Sequence, residues 1–180
     1  MKSFFVVLFA IVTFVSTGAF AADSQKLPLP EAIKDSLPWF AVRELQNDNI
    51  PFTRTHLQGI AQNHDRVALV YFATWCIPCR AGIKQIVAHQ AEIEKAGTAI
   101  VLVNVGERET NKVKNFLAKL SADKIASVTD PYGRLTEGFG LVKEGRNISL
   151  PRTVVVDKSL KVLQLIGEEG DDYIRLLMGK

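Results

Sequence analysis

Hydrophobic residues recur along this chain in two rhythms, and their alternation lays out the elements. Val67–Ala73 (V-A-L-V-Y-F-A) and Thr98–Val105 (T-A-I-V-L-V-N-V) are near-continuous apolar runs of strand length, the pattern of strands covered on both faces. Between them Ile83, Ile86, Val87, Gln90 and Ile93 form one stripe of a helix over Ala81–Ala96, which Gly97 stops. Upstream, Trp39–Leu45 and Ile50–Arg54 flank an Asn-Asp-Asn turn and read as a β-hairpin, and Thr55 is expected to cap a short helix from His56 to Asn63. Downstream come an amphipathic helix over Glu109–Leu120, a strand near Ala126–Thr129, a turn at Asp130–Gly133 and a short helix to Phe139. Arg152–Asp157 and Lys161–Ile166 pair as a second hairpin, and a helix over Asp171–Met178 follows. The order ββαβαβαβαββα predicts an α/β domain in three layers.

The N-terminal pattern is different. A positive Met-Lys-Ser start precedes an apolar stretch, Phe4–Val15, and Ala19-Phe20-Ala21 fits a small-x-small cleavage site. Residues 1–21 are therefore expected to be a secretory signal peptide; the alternative is an uncleaved membrane anchor, which the length of the stretch barely allows. Residues 22–38 are polar and punctuated by proline, and predict a loose arm with one helical turn at Glu31–Ser36. Residues 39–180 then form the domain. A hydrophobic share of 47% suffices for a core, while a net charge of +3, dispersed along the chain, argues against a nucleic-acid partner.

The candidate chemistry is confined to F-A-T-W-C-I-P-C-R, Phe72–Arg80, which holds both cysteines of the chain. A C-x-x-C pair can be half of a zinc site, a structural staple or a redox pair. Zinc needs about four ligands, and His56, His64 and His89 are scattered, so no metal and no cofactor is expected. In an exported protein the thiols tend toward a disulfide, but a bridge across so short a loop adds little stability. A strand running straight into C-x-x-C and then a helix favours redox work. Cys76 at the helix start would face free backbone N–H groups and the positive end of the helix dipole, which lowers its pKa. Cys79, one turn further in, would be the more buried resolving thiol. Pro78 suits a first helical turn, where its missing N–H costs nothing, and Trp75 offers a flat apolar surface beside the sulfur. Cys76 thiolate would open a substrate disulfide, and Cys79 would then close on Cys76.

These residues resemble the thioredoxin superfamily, and within it the exported TlpA/ResA-like thiol–disulfide oxidoreductases. F-A-T-W-C-I-P-C-R is similar to that group's F-W-A-T-W-C-x-P-C-R signature, and V-L-V-N-V-G-E (Val101–Glu107), D-P-Y-G-R-L-T-E-G-F-G-L (Asp130–Leu141) and S-L-P-R-T-V-V-V-D (Ser149–Asp157) resemble its later segments. The resemblance implies a thioredoxin-like α/β/α sandwich with a mixed central sheet and an N-terminal β-hairpin extension. It implies a cis peptide bond before Pro151, with Leu150 and Pro151 joining the substrate-binding site. It also implies a periplasmic reductase of specific protein disulfides, as in cytochrome c maturation, fed by a membrane electron donor of thiol–disulfide type. The chain departs from the pattern where proton handling is usual: Val70 and Gly82 stand where many relatives keep acids, and Lys84 where many keep proline. Glu107 is the expected remaining acid for proton transfer. A thioredoxin-like peroxidase and a non-catalytic binding module are the alternatives; Thr74 lies two residues before Cys76, where such peroxidases place a Thr three before.

Overall fold

A computed structural model describes residues 23–30, 37, 39–47, 50–142 and 148–180. The expected signal peptide and its cleavage site, and the helical turn at residues 31–36, lie outside the described residues.

The sheet grows outward from β4 (Arg66–Phe72). Its continuous apolar run divides by the two-residue strand period: Val67, Leu69 and Tyr71 enter one core, and Ala68, Val70 and Phe72 the other. On one side β5 (Thr98–Val105) and β6 (Ala126–Asp130) continue it in parallel. On the other, β7 (Arg152–Asp157) and β8 (Val162–Ile166) run antiparallel as the expected hairpin. The N-terminal hairpin, β2 (Ala41–Glu44) and β3 (Pro51–Thr53), attaches through β2 antiparallel to β6. With β1 (Lys26–Leu27) the mixed sheet has, among the described residues, eight strands in the order β1-β8-β7-β4-β5-β6-β2-β3.

One face of the sheet is covered by α1 (Arg54–Gln62) and α5 (Arg134–Gly138), which contribute Leu57, Ala61 and Leu135 to the first core. The other carries α2 (Ile77–Ala88), α3 (Gln90–Lys95), α4 (Thr110–Lys119) and α6 (Tyr173–Leu177), whose Ile83, Ile86, Ile93, Val113, Leu117 and Tyr173 fill the second. This is the three-layer thioredoxin-like sandwich, and both cysteines belong to the second core.

Three local expectations change. Residues 23–30 do not lie loose where they are described: Lys26 and Leu27 pair with Ile166 and Leu165, so the segment extends the sheet as its edge. The single helix expected over Ala81–Ala96 starts earlier and breaks at His89, whose backbone (φ −114°, ψ 17°) ends α2 and opens α3. The break leaves Ile86 and Ile93 buried while Gln90 turns half outward and bonds Glu94 at 2.9 Å. The cap of α1 is Thr53 rather than Thr55: the Thr53 backbone N–H donates to His56 Nδ1 at 3.2 Å, a capping box with histidine in the usual Glu position.

Candidate active site

Cys76 occupies the N-cap of α2, with Ile77 and Pro78 opening the helix. Its backbone N–H donates to Ala73 O at 3.1 Å, and its carbonyl accepts from Arg80 N at 3.3 Å. Cys76 and Cys79 are joined as a disulfide across a Cα–Cα distance of 5.4 Å. The Cys79 backbone N–H still points at Cys76 Sγ, 3.3 Å away, so a helix-start donor faces the sulfur that would carry negative charge on reduction. Cys79 is 1% exposed and Cys76 4%. Both sulfurs are thus shielded in the oxidised form, whereas Trp75 (68%) and Ile77 (78%) stand out on either side of Cys76.

The loop that leads into Cys76 is fixed from below by Glu107. One carboxylate oxygen accepts from Thr74 N (2.7 Å) and Asn104 Nδ2 (2.8 Å), the other from Thr74 Oγ1 (2.6 Å) and Lys112 Nζ (3.0 Å). Burial alone would raise the Glu107 pKa, but the hydrogen bonds from Thr74, Asn104 and Lys112 outweigh it and hold the carboxyl below its ordinary value. The expected proton carrier is therefore an ionised group with its acceptor sites filled. Asn104, fully buried at the end of β5, also reaches Phe72 O at 3.5 Å and so ties this cluster to the strand that delivers the cysteines.

The peptide bond between Leu150 and Pro151 is cis. Leu150 packs against the cluster that holds both cysteines, and Pro151 is buried at the start of β7. Leu150 and Trp75, far apart in sequence, line one groove of about 450 Å³ together with Val105, Tyr132 and Ile148. Tyr132, 68% exposed, adds an aromatic wall. Of the departures noted in the sequence, Val70 is buried in the cysteine cluster and Lys84 is exposed beside Arg80, Lys112 and Lys119 along a second, basic groove.

Gly82 is different from both. The space that a side-chain carbon would fill there is occupied by the carboxylate of Glu169, which enters from the connection between β8 and α6. The stem of Glu169 is partly exposed, but both carboxylate oxygens are shut off from solvent and complete no well-formed hydrogen bond among the described residues. Burial pushes its pKa up to about 8, opposed weakly by the Tyr173 hydroxyl. That hydroxyl is itself buried and paired with Thr153 Oγ1 at 2.9 Å, and Thr153 lies opposite Val70 across the β7–β4 ladder. Glu169 was missed in the sequence because G-E-E-G at 167–170 looks like a solvated turn. The signal that pointed to it was Gly82: glycine inside a helix costs about 1 kcal/mol relative to alanine, and asks what approaches so closely.

Comparison with known proteins agrees with this geometry. The Redoxin family profile matches residues 33–173. The thiol-disulfide oxidoreductase ResA of Geobacillus thermodenitrificans is 25% identical over 135 residues, 75% of this chain and 69% of that protein. The crystal structure of a putative thiol:disulfide interchange protein DsbE from Chlorobium tepidum superposes with a TM-score of 0.60 at 21% identity, covering 88% of this chain and 99% of that one. A secreted thiol-disulfide isomerase from Corynebacterium glutamicum gives 0.64 at 20% identity, covering 90% and 95%. The chain belongs to the Redoxin family, has the thioredoxin fold of these structures, and is similar to the thiol–disulfide oxidoreductase ResA.

Proposed function

We propose that this protein is an exported, periplasmic reductase of specific protein disulfides, with Cys76 as the nucleophile and Cys79 as the resolving thiol. The observation that carries the reading is the setting of the pair: Cys76 Sγ at a helix N-cap, facing the Cys79 N–H, in a cluster bordered by Leu150 of the cis-proline loop. An extended peptide lying in the groove between Trp75 and Leu150 would bring its disulfide to Cys76, the less buried sulfur. Trp75 and Ile77 supply apolar contact, Pro78 stiffens the first turn, and the backbone at Leu150–Pro151 offers hydrogen bonds to the peptide. Electrons come from a membrane thiol–disulfide donor, and cytochrome c maturation is the process that this substrate class suggests. The exported setting rests on the N-terminal sequence pattern and on the secreted isomerase among the structural relatives.

Glu107 holds the Thr74–Trp75 loop in register and moves no proton, since its oxygens already receive four hydrogen bonds. The same bonds bear on the peroxidase alternative. Thr74 Oγ1, the hydroxyl nearest in sequence to Cys76, is committed to Glu107.

The test is capture. Cys79→Ser expressed in the native cell should accumulate a mixed disulfide on Cys76 with a small set of exported proteins, released by dithiothreitol and absent from a Cys76→Ser/Cys79→Ser control. No captured protein, together with no turnover of peptide disulfides by the wild type, would favour the binding module. Direction follows from the potential of the pair. A value near about −270 mV supports a reductase, and one near about −120 mV an oxidant.

A further inference from the structure

A buried disulfide poses a proton problem. When it opens at Cys76, Cys79 leaves as a thiolate in a site 1% exposed, where water cannot readily supply the proton. Gly82 lies one turn along α2 from Cys79, on the same face, where Cβ positions are about 5–6 Å apart. Helix Cα–Cβ bonds tilt toward the N-terminus, so the space left open at Gly82 leans toward Cys79. The Glu169 carboxylate fills that space with no donor satisfying it. We propose that Glu169 handles the proton of Cys79, delivered from the β8–α6 connection through the gap that Gly82 leaves in α2.

This rests on the reading of the pair as a thiol–disulfide exchanger. In the reducing direction Cys76 thiolate bonds one substrate sulfur, and the substrate S–S bond breaks with its electron pair on the other. Cys79 thiol then passes its proton to the Glu169 carboxylate and attacks Cys76 Sγ. The Cys76–substrate bond breaks with its electrons on the substrate sulfur that Cys76 had bonded. The substrate has gained two electrons, the protein is oxidised by two, and Glu169 holds the proton. A dithiol donor resets the pair by attack on Cys76; Cys79 departs as thiolate and takes the proton back. With its pKa held near 8 in the disulfide form, Glu169 is protonated at neutral pH and nearly matched to a thiol. Around its carboxylate, α6 contributes the Tyr173 hydroxyl, with the Thr153 hydroxyl of β7 behind it, and α2 contributes Gly82. Of the charges on the surrounding elements, Asp172 bonds Ser24 N and Arg175, Arg80 lies over the Phe116 ring, and Glu168, Asp171 and Lys84 are exposed.

The experiment compares wild type, Glu169→Gln and Glu169→Gln/Gly82→Glu from pH 5 to 10. It follows disulfide opening by dithiothreitol, with rates expressed per dithiothreitol thiolate. Wild type should slow as Glu169 ionises, with an inflection near 8. Glu169→Gln should lose the inflection and open at least tenfold more slowly at pH 7. The double variant, with the acid returned to α2, should regain both. A Glu169→Gln profile superposable on wild type overturns the proposal. Infrared difference spectra of the wild type, oxidised minus reduced at pH 7, need no variant: a protonated-carboxyl band present only in the oxidised form is expected, and its absence also overturns the proposal. Failure to reduce any protein disulfide in the presence of a dithiol would sink the reading of the pair; normal wild-type turnover with an unaltered Glu169→Gln profile would sink the assignment of Glu169 alone.

Discussion

Two glutamates meet the segment that carries the cysteines, Glu107 at Thr74 and Glu169 at Gly82, and they sit in opposite surroundings. Glu107 accepts hydrogen bonds from Thr74, Asn104 and Lys112, and its carboxyl is held below the ordinary range. Glu169 completes no well-formed hydrogen bond among the described residues, with only the Tyr173 hydroxyl opposing weakly, and is pushed up to about 8 by burial. The first is adjacent in space to the loop before Cys76; the second enters from the far end of the chain. Proximity of a carboxyl to a cysteine therefore says little about its task. What decides is whether its oxygens are already satisfied: a satisfied carboxylate is a structural anion, while an unsatisfied buried one remains free to bind and release a proton.

The largest break in this symmetry is thermodynamic. The unfolded chain ionises Glu169 near the ordinary 4.5, whereas the native state keeps its proton to about 8. Between those values the native state binds more protons, so stability is present at low pH and declines as pH climbs, by on the order of 5 kcal/mol at most. Urea denaturation of the oxidised protein at pH 5 and pH 8 should show the decline, and Glu169→Gln should flatten it. An equal decline in the variant would mean that the carboxylate is not the buried group. Glu107 has the opposite sign: its contribution is full above the ordinary carboxylate pKa and is lost as pH falls below it. Glu107→Ala removes the acceptor of the Thr74 amide and the shorter of the two acceptors of buried Asn104, and is expected to cost ~1–3 kcal/mol at pH 7, read as a lower denaturation midpoint. Gly82→Ala sharpens the comparison further. In an open helix this change would add about 1 kcal/mol, but here the new methyl takes the place of the Glu169 carboxylate. The gain should vanish, and the pH-dependent decline should shrink with the displaced acid; a full helix gain with the decline intact would contradict the packing. Lys112→Ala is expected to do least. Lys112 is exposed, and its ion pair with Glu107 is the one contact of that cluster open to salt. The midpoint should be unchanged within error in 0.5 M salt.

Much of this was written in short-range patterns. The apolar run of β4 and the strand-to-helix setting of Cys76 carry their own local signals, the proline at position 151 stands out only through the resemblance, and the pairing of β7 with β8 follows from hairpin spacing. What was hidden depends on partners distant in sequence. β1 has two residues, too few for any period, and exists because β8 offers an edge. His89 breaks its helix without glycine or proline, by capping geometry that hydrophobic spacing does not record. Glu169 is legible only when Gly82 and the G-E-E-G turn are known to meet. Glu107 could be placed near the pair from chain order, but the hydrogen bonds from Thr74 and Asn104 that argue for an anchoring role could not.

The edge strand carries one more consequence. Ser24 Oγ accepts from Gly170 N at 2.8 Å, Gln25 O from Gly167 N at 2.6 Å, and Ser24 N donates to Asp172 at 2.6 Å. These bonds clamp the turn that presents Glu169 from both ends. The segment from Ser24 to Leu27 thus anchors the turn that sets Glu169 against Gly82, so loosening it would free that carboxylate from α2. Anyone shortening the chain or fusing a tag to it should leave Ser24 and Gln25 in place, so that this turn stays anchored.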